Sequence, residues 1–93
     1  MISWEKELEK LNLNKEEQQL VELEEDLIET MIAIRKKKKL SQTQLAALCN
    51  LKQSTIARME QSTHSPQIDS LLKVLVPMGY TLKIVPLIEN EKQ

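Results

Sequence analysis

Between Leu40 and Glu60 the chain reads LSQTQLAALCNLKQSTIARME, and its most chemically capable side chains are the consecutive Lys52, Gln53, Ser54 and Thr55. A packed core has no use for four polar residues at the opening of a helix. Amides, hydroxyls and an ammonium offer donors and acceptors to an external polar ligand. They do not have the partners that proton transfer or covalent catalysis needs. His64 has no second His, Cys or carboxylate at metal-ligand spacing and reads as a loop residue. Cys49 stands at an apolar helix position and reads as core. The chain has one Gly, so there is no glycine-rich phosphate loop. These residues point away from an enzyme, with no metal and no cofactor, and towards a binding module that works by surface hydrogen bonds and charge.

Composition narrows the elements that position them. Ninety-three residues make a single domain with a modest core. Apolar residues reach 41%, with no Phe, one Trp and one Tyr, so the core is built from Leu, Ile, Val, Met and Ala. That suits packed helices. One Cys excludes an internal disulfide and fits a reducing compartment. There is no signal peptide and no apolar run long enough to span a membrane, so the expected location is the cytoplasm, with no membrane association. Charge is segregated behind a net value of -1. Residues 1–30 carry ten acidic and three basic side chains, whereas residues 31–65 carry seven basic side chains against Glu60 alone. Residues 66–93 balance at three and three. One surface can face phosphates and another a basic protein, or both are simply solvated helix faces.

Residues 1–13 form an acidic arm able to make a short helix, with Ile2, Leu8 and Leu11 on its inner face. Trp4 on that arm either folds onto its own domain or anchors a partner. Asn14 and Glu17 make a capping box that opens the strongest helical segment, running to about Lys37. Leu20, Leu23, Leu27, Met31 and Ile34 recur there at helical steps, flanked by Ile28 and Ile32. Ser41 and Gln44 make a second capping box, so a helix starts at Gln42 with Leu45, Leu48 and Cys49 inward. Asn50 stops it, because Asn tolerates the left-handed conformation needed just past a helix end. A new helix begins near Gln53 and buries Ile56 and Met59. After the loop QSTHSP, Ile68, Leu71, Leu72, Leu75 and Val76 give another core helix, ended by Pro77, Met78 and Gly79. Residues 80–88 alternate and are β-branched, which predicts one strand with Leu82 and Ile84 on one face, followed by a tail at 89–93. A lone strand needs a partner, and a second copy of the chain supplies one.

Two short helices with a tight turn, the second opening on exposed polar residues, make a helix-turn-helix over 41–60 within a bundle spanning 14–79. In such a unit the first helix braces on the phosphate backbone and the second enters the major groove. From Ile28 to Leu82, through LSQTQLA, STIARME and SPQIDSLLKVLVPMGYTL, the sequence resembles the Cro/C1-type (XRE) helix-turn-helix family. With its acidic leading helix, small size and trailing strand, it is most similar to HigA-type antitoxins of toxin–antitoxin pairs. Asn50 stands where that family usually has Gly, and Lys52 where Ser or Thr usually caps the second helix.

The resemblance implies an all-α, five-helix, lambda-repressor-like domain with one C-terminal β-strand pairing across a homodimer. It implies base contacts from Gln53, Ser54 and Arg58, with Arg58 suited to guanine and Gln53 to adenine. Gln42 then contacts phosphate and buttresses a base-reading side chain, while Thr43, Lys52, Thr55, Lys37 and Lys38 complete the phosphate set. The other reading for Arg58 is a surface ion pair towards Glu60 or an upstream acid. The implied partners are double-stranded operator DNA and a small basic, mRNA-cleaving toxin of the HigB/RelE kind. Trp4, Leu8, Leu11, Val21, Glu24 and Ile28 are the candidate toxin-binding residues, and Leu82, Ile84 and Val85 the candidate dimer interface. A free-standing XRE-type repressor without a toxin remains the alternative.

Overall fold

The structure, a computed structural model, describes residues 14–61, 65 and 67–87. Among these residues four α-helices follow in order: α1 (Lys15–Lys37), α2 (Gln42–Cys49), α3 (Gln53–Glu60) and α4 (Ile68–Leu75). A single 3-10 turn, Val76–Met78, extends α4. The helix expected within 1–13 lies outside the described residues, as do Trp4, Leu8, Leu11, His64, residue 88 and the tail at 89–93.

Both capping boxes form. Asn14 Oδ1 accepts from the Glu17 amide at 2.7 Å while Glu17 Oε1 accepts from the Asn14 amide at 3.1 Å. Ser41 Oγ accepts from the Gln44 amide at 3.0 Å, and Gln44 Oε1 accepts from the Ser41 amide at 2.8 Å. Each box satisfies two amides that a helix start otherwise leaves without partners. Three C-terminal ends, those of α1, α2 and the 3-10 turn after α4, share one device. The amides of Leu40, Leu51 and Tyr80 each donate five residues back, to the carbonyls of Arg35, Ala46 and Leu75. The residues just before them, Lys39, Asn50 and Gly79, lie in the left-handed region, with φ of 60°, 61° and 94°. This paired-bond ending reverses the chain in two residues and points Leu40 and Leu51 back at the core. The left-handed Asn50 that ends α2 is the conformation expected from its type.

The core lies where the four helices meet. Ile28 and Met31 of α1, Leu45 and Ala46 of α2, Ile56 of α3, and Leu71, Val74 and Leu75 of α4 are buried, with Met78 closing the end. Several inward-facing expectations change. Leu20, Leu23 and Leu27 are 61%, 45% and 38% exposed, and the buried stripe of α1 runs instead through Ile28, Met31 and Arg35. Length explains the difference: 23 residues span about 35 Å, whereas each eight-residue helix spans about 12 Å. The short helices cover only the C-terminal half of α1.

Leu48, Ile68 and Val76 are also exposed where they were expected inward. In α2 the buried side is that of Leu45, Ala46 and Cys49, and Leu48 lies about 100° around the helix from its centre. In α4 the core side runs through Leu71, Val74 and Leu75, which leaves Ile68 and Val76 at its outer ends. Residues 80–86 make no strand ladder among the described residues. Leu82 packs against the core while Ile84 is fully exposed, so the two do not share one environment as the alternation predicted. No helix among the described residues is long and apolar enough to cross a membrane.

Candidate nucleic-acid interface

α2 packs more extensively on α3 than any other two helices pack together, which fixes the N-terminal edge of α3 relative to α2. Gln53 and Ser54 open α3 exposed, and Thr55 behind them is half-buried. Lys52 precedes them at the cap position and makes no side-chain capping bond, so the first amides of α3 have no side-chain partner from it. Arg58 lies one turn on and is exposed. Asn50, Leu51, Lys52, Ser54, Thr55 and Arg58 line an open, polar depression of about 660 Å³. Gln42 and Thr43 are the first residues of α2, and Gln42 reaches this edge.

Behind the edge runs a chain of side-chain hydrogen bonds. Gln53 Nε2 donates to Gln42 Oε1 at 2.8 Å, and Gln42 Nε2 donates to Glu60 Oε1 at 2.9 Å. Glu60 in turn accepts from Arg35, from Nε at 2.7 Å and from Nη2 at 3.0 Å. Arg35 Nη1 donates to the Leu40 carbonyl at 2.8 Å, tying the turn after α1 to the same cluster. The two charged side chains are only 11% and 7% exposed. This bidentate pair joins the C-terminal ends of α1 and α3, and its geometry is the favourable one for a buried pair.

The ion pair settles the charge of the surface. Glu60 is committed to Arg35, and the Arg58 side chain makes no hydrogen bond or ion pair with any other described residue. The expected alternative for Arg58, a pair towards Glu60, is therefore not formed. With Arg35 and Glu60 cancelling each other, Lys36, Lys37, Lys38, Lys39, Lys52 and Arg58 remain, all exposed. Lys37 and Lys38 sit at the end of α1, and Lys39 forms its left-handed turn.

A second surface lies on the other half of α1. Glu16, Glu17, Glu22, Glu25, Asp26 and Glu29 are exposed there beside the uncovered Leu20, Val21 and Leu23. Leu23, Leu27, Ile34, Leu75, Tyr80 and Leu82 line an apolar groove of about 440 Å³ between α1 and the segment after Gly79. Of the expected toxin-binding residues, Val21 is exposed and Glu24 accepts from Ser65 Oγ at 3.2 Å. Ile28 is 2% exposed and belongs to the core, because α1 turns that face into the bundle. Cys49 is half-buried as expected for core; its thiol donates to the Val74 carbonyl at 3.8 Å, and burial pushes its pKa above the ordinary value.

The helix-turn-helix family profile matches residues 31–85, more than half of the chain. The chain belongs to the helix-turn-helix family. Over 81 residues it is 43% identical to an uncharacterized HTH-type transcriptional regulator of Haemophilus influenzae, covering 87% of this chain and 83% of that protein. It is also similar to a chain from a toxin–antitoxin module of Streptococcus pneumoniae, with 36% identity and a TM-score of 0.66, covering 94% of this chain and 96% of that one.

Sequence reasoning placed Gln42 as a buttress but missed Arg35 and Glu60. A signal for them was present. Arg35 lies seven residues past Ile28 and four past Met31, on the buried stripe, and Glu60 is the sole acid between Glu29 and Asp69. A charge on an apolar stripe requires a buried partner, and one acid was available.

Proposed function

We propose that this protein is a sequence-specific DNA-binding antitoxin that neutralises a small basic, mRNA-cleaving toxin of the HigB/RelE kind by direct binding and represses its own operon. The observation that carries DNA binding is the edge of α3: Gln53, Ser54 and the cations Lys52 and Arg58 are exposed there, neither cation is paired with a carboxylate among the described residues, and Glu60 is consumed by Arg35. In this reading Gln53, Ser54 and Arg58 reach base edges, with Arg58 bidentate to guanine. Gln42, Thr43, Lys52, Thr55, Lys37 and Lys38 hold phosphates. Leu82, Ile84 and Val85 form the interface of a homodimer, which gives the two-fold symmetry that paired half-sites require. The protein acts in the cytoplasm.

Toxin binding is supported by the likeness to the Streptococcus pneumoniae chain, which extends over 94% of this chain and so takes in the acidic half of α1. Uncovered leucines beside clustered carboxylates suit a basic partner, by steering and then burial. In this reading Val21 and Glu24 contact the toxin, as do Trp4, Leu8 and Leu11 of the arm outside the described residues; the buried Ile28 does not. A free-standing repressor is the second reading, favoured by the Haemophilus influenzae relative, whose description is that of a transcriptional regulator.

Co-expression separates the two. Cells that make a small basic protein encoded next to this gene should stop growing, and the full chain should restore growth. Removing residues 1–13 should weaken rescue while leaving operator binding intact. Rescue by the shortened chain equal to that by the full chain would take the arm out of the docking surface. A neighbouring gene whose product is harmless, or no such gene, would favour the free-standing repressor.

A further inference from the structure

The hydrogen-bond chain behind α3 has a direction, and its chemistry sets that direction. A side-chain amide is nearly symmetric in shape, so which end is oxygen and which is nitrogen must follow from its partners. Glu60 supplies the fixed point. Its carboxylate is held by Arg35 through both oxygens and can only accept hydrogen bonds. The Gln42 atom facing it at 2.9 Å must therefore be the nitrogen. That leaves Gln42 Oε1 towards Gln53, and an oxygen there demands a donor, so Gln53 must present Nε2 at 2.8 Å.

We propose that Glu60 is a specificity-determining positioning residue: acting through Gln42, it fixes the hydrogen-bonding polarity of Gln53 so that α3 reads adenine and rejects guanine. The inference rests on the reading of Gln53 as a base-facing residue. With one N–H given to Gln42, Gln53 has one N–H and its oxygen left. Those match the N7 acceptor and N6 donor on the major-groove edge of adenine. Guanine offers two acceptors, N7 and O6, and would meet the Gln53 oxygen with a second oxygen. An amide free to turn over meets guanine with its NH2 and discriminates less. The ion pair thus has a task besides joining α1 to α3: it supplies an acceptor that cannot flip. Glu60 touches no base in this scheme.

The test measures affinity ratios on a set of operator duplexes in which each base pair is changed in turn. Ratios cancel any phosphate contact that a substitution also removes. Gln53→Ala should flatten the preference at one base pair, at which the unchanged protein prefers adenine to guanine by about 5- to 150-fold. Glu60→Gln puts a reversible amide at the fixed point, and Gln42→Met breaks the chain while leaving the ion pair whole. Both should reduce the adenine-to-guanine ratio at that base pair to within about threefold, with other positions unchanged. Circular dichroism confirms folding, and if Glu60→Gln does not fold, Gln42→Met alone decides. If Gln53→Ala flattens no position, the base-reading assignment fails and the inference falls with it. If Gln53→Ala flattens one position but folded Gln42→Met and Glu60→Gln keep the original ratio, Gln53 reads its base without Glu60 and the inference is overturned while the assignment stands.

Discussion

At Lys52 two demands compete. The residue before a helix is best filled by Ser, Thr, Asp or Asn, whose oxygen accepts from the first amides, and Lys has no such acceptor. Its ammonium instead stands exposed beside Ser54 and Arg58. Lys52→Ser should therefore stabilise the fold by about 1 kcal/mol, raising Tm by roughly 4–8 °C. The same change should weaken binding to operator and random DNA alike, and make the slope of log affinity against log salt shallower by up to about 0.9. A raised Tm with an unchanged salt slope would leave Lys52 a solvated side chain. At this scale the sequence was legible wherever a single residue type has a local geometric consequence. The missing cap at Lys52 and the left-handed Asn50 are read from their own chemistry, without knowing what lies across the fold.

At the scale of elements, the caps at Asn14 and Ser41 set where helices begin, and the left-handed turns at Lys39, Asn50 and Gly79 set where they stop. Periodicity was a poorer guide to burial. It assigned Leu20, Leu23 and Leu27 to one face of α1, but whether a face is covered depends on the length of the neighbours, which no local pattern contains. The Arg35–Glu60 pair was hidden for a related reason, since its two halves are 25 residues apart. Arg35→Met should cost about 3–5 kcal/mol by leaving the Glu60 carboxylate buried without its cation, measured by urea unfolding. Arg35→Met combined with Glu60→Leu should recover most of that loss, because apolar side chains of similar size need no compensation. Equal loss in the single and double variants would mean that the pair itself, and not the orphaned charge, carries the stability.

Over the whole molecule, charge and apolar surface are divided between two ends. The basic end holds α3 and the close of α1, and the acidic end holds the uncovered leucines of α1. The segment after Gly79 borders the groove at that second end, and residues 81–87 make no strand ladder among the described residues, so the proposed second copy would add there. Deleting residues from Thr81 onward should give monomers by sedimentation and weaken operator binding strongly; a shortened chain that stays dimeric would put the interface on another element. The proposed base reading by the exposed edge of α3 is tested by the affinity of Arg58→Ala for operator and for a scrambled duplex at one salt concentration. Arg58 has no partner among the described residues to lose, so the fold should be undisturbed. Base reading by Arg58 predicts a loss of about 1–3 kcal/mol on operator and little change on scrambled DNA. An equal loss on both duplexes, or none on either, would contradict it.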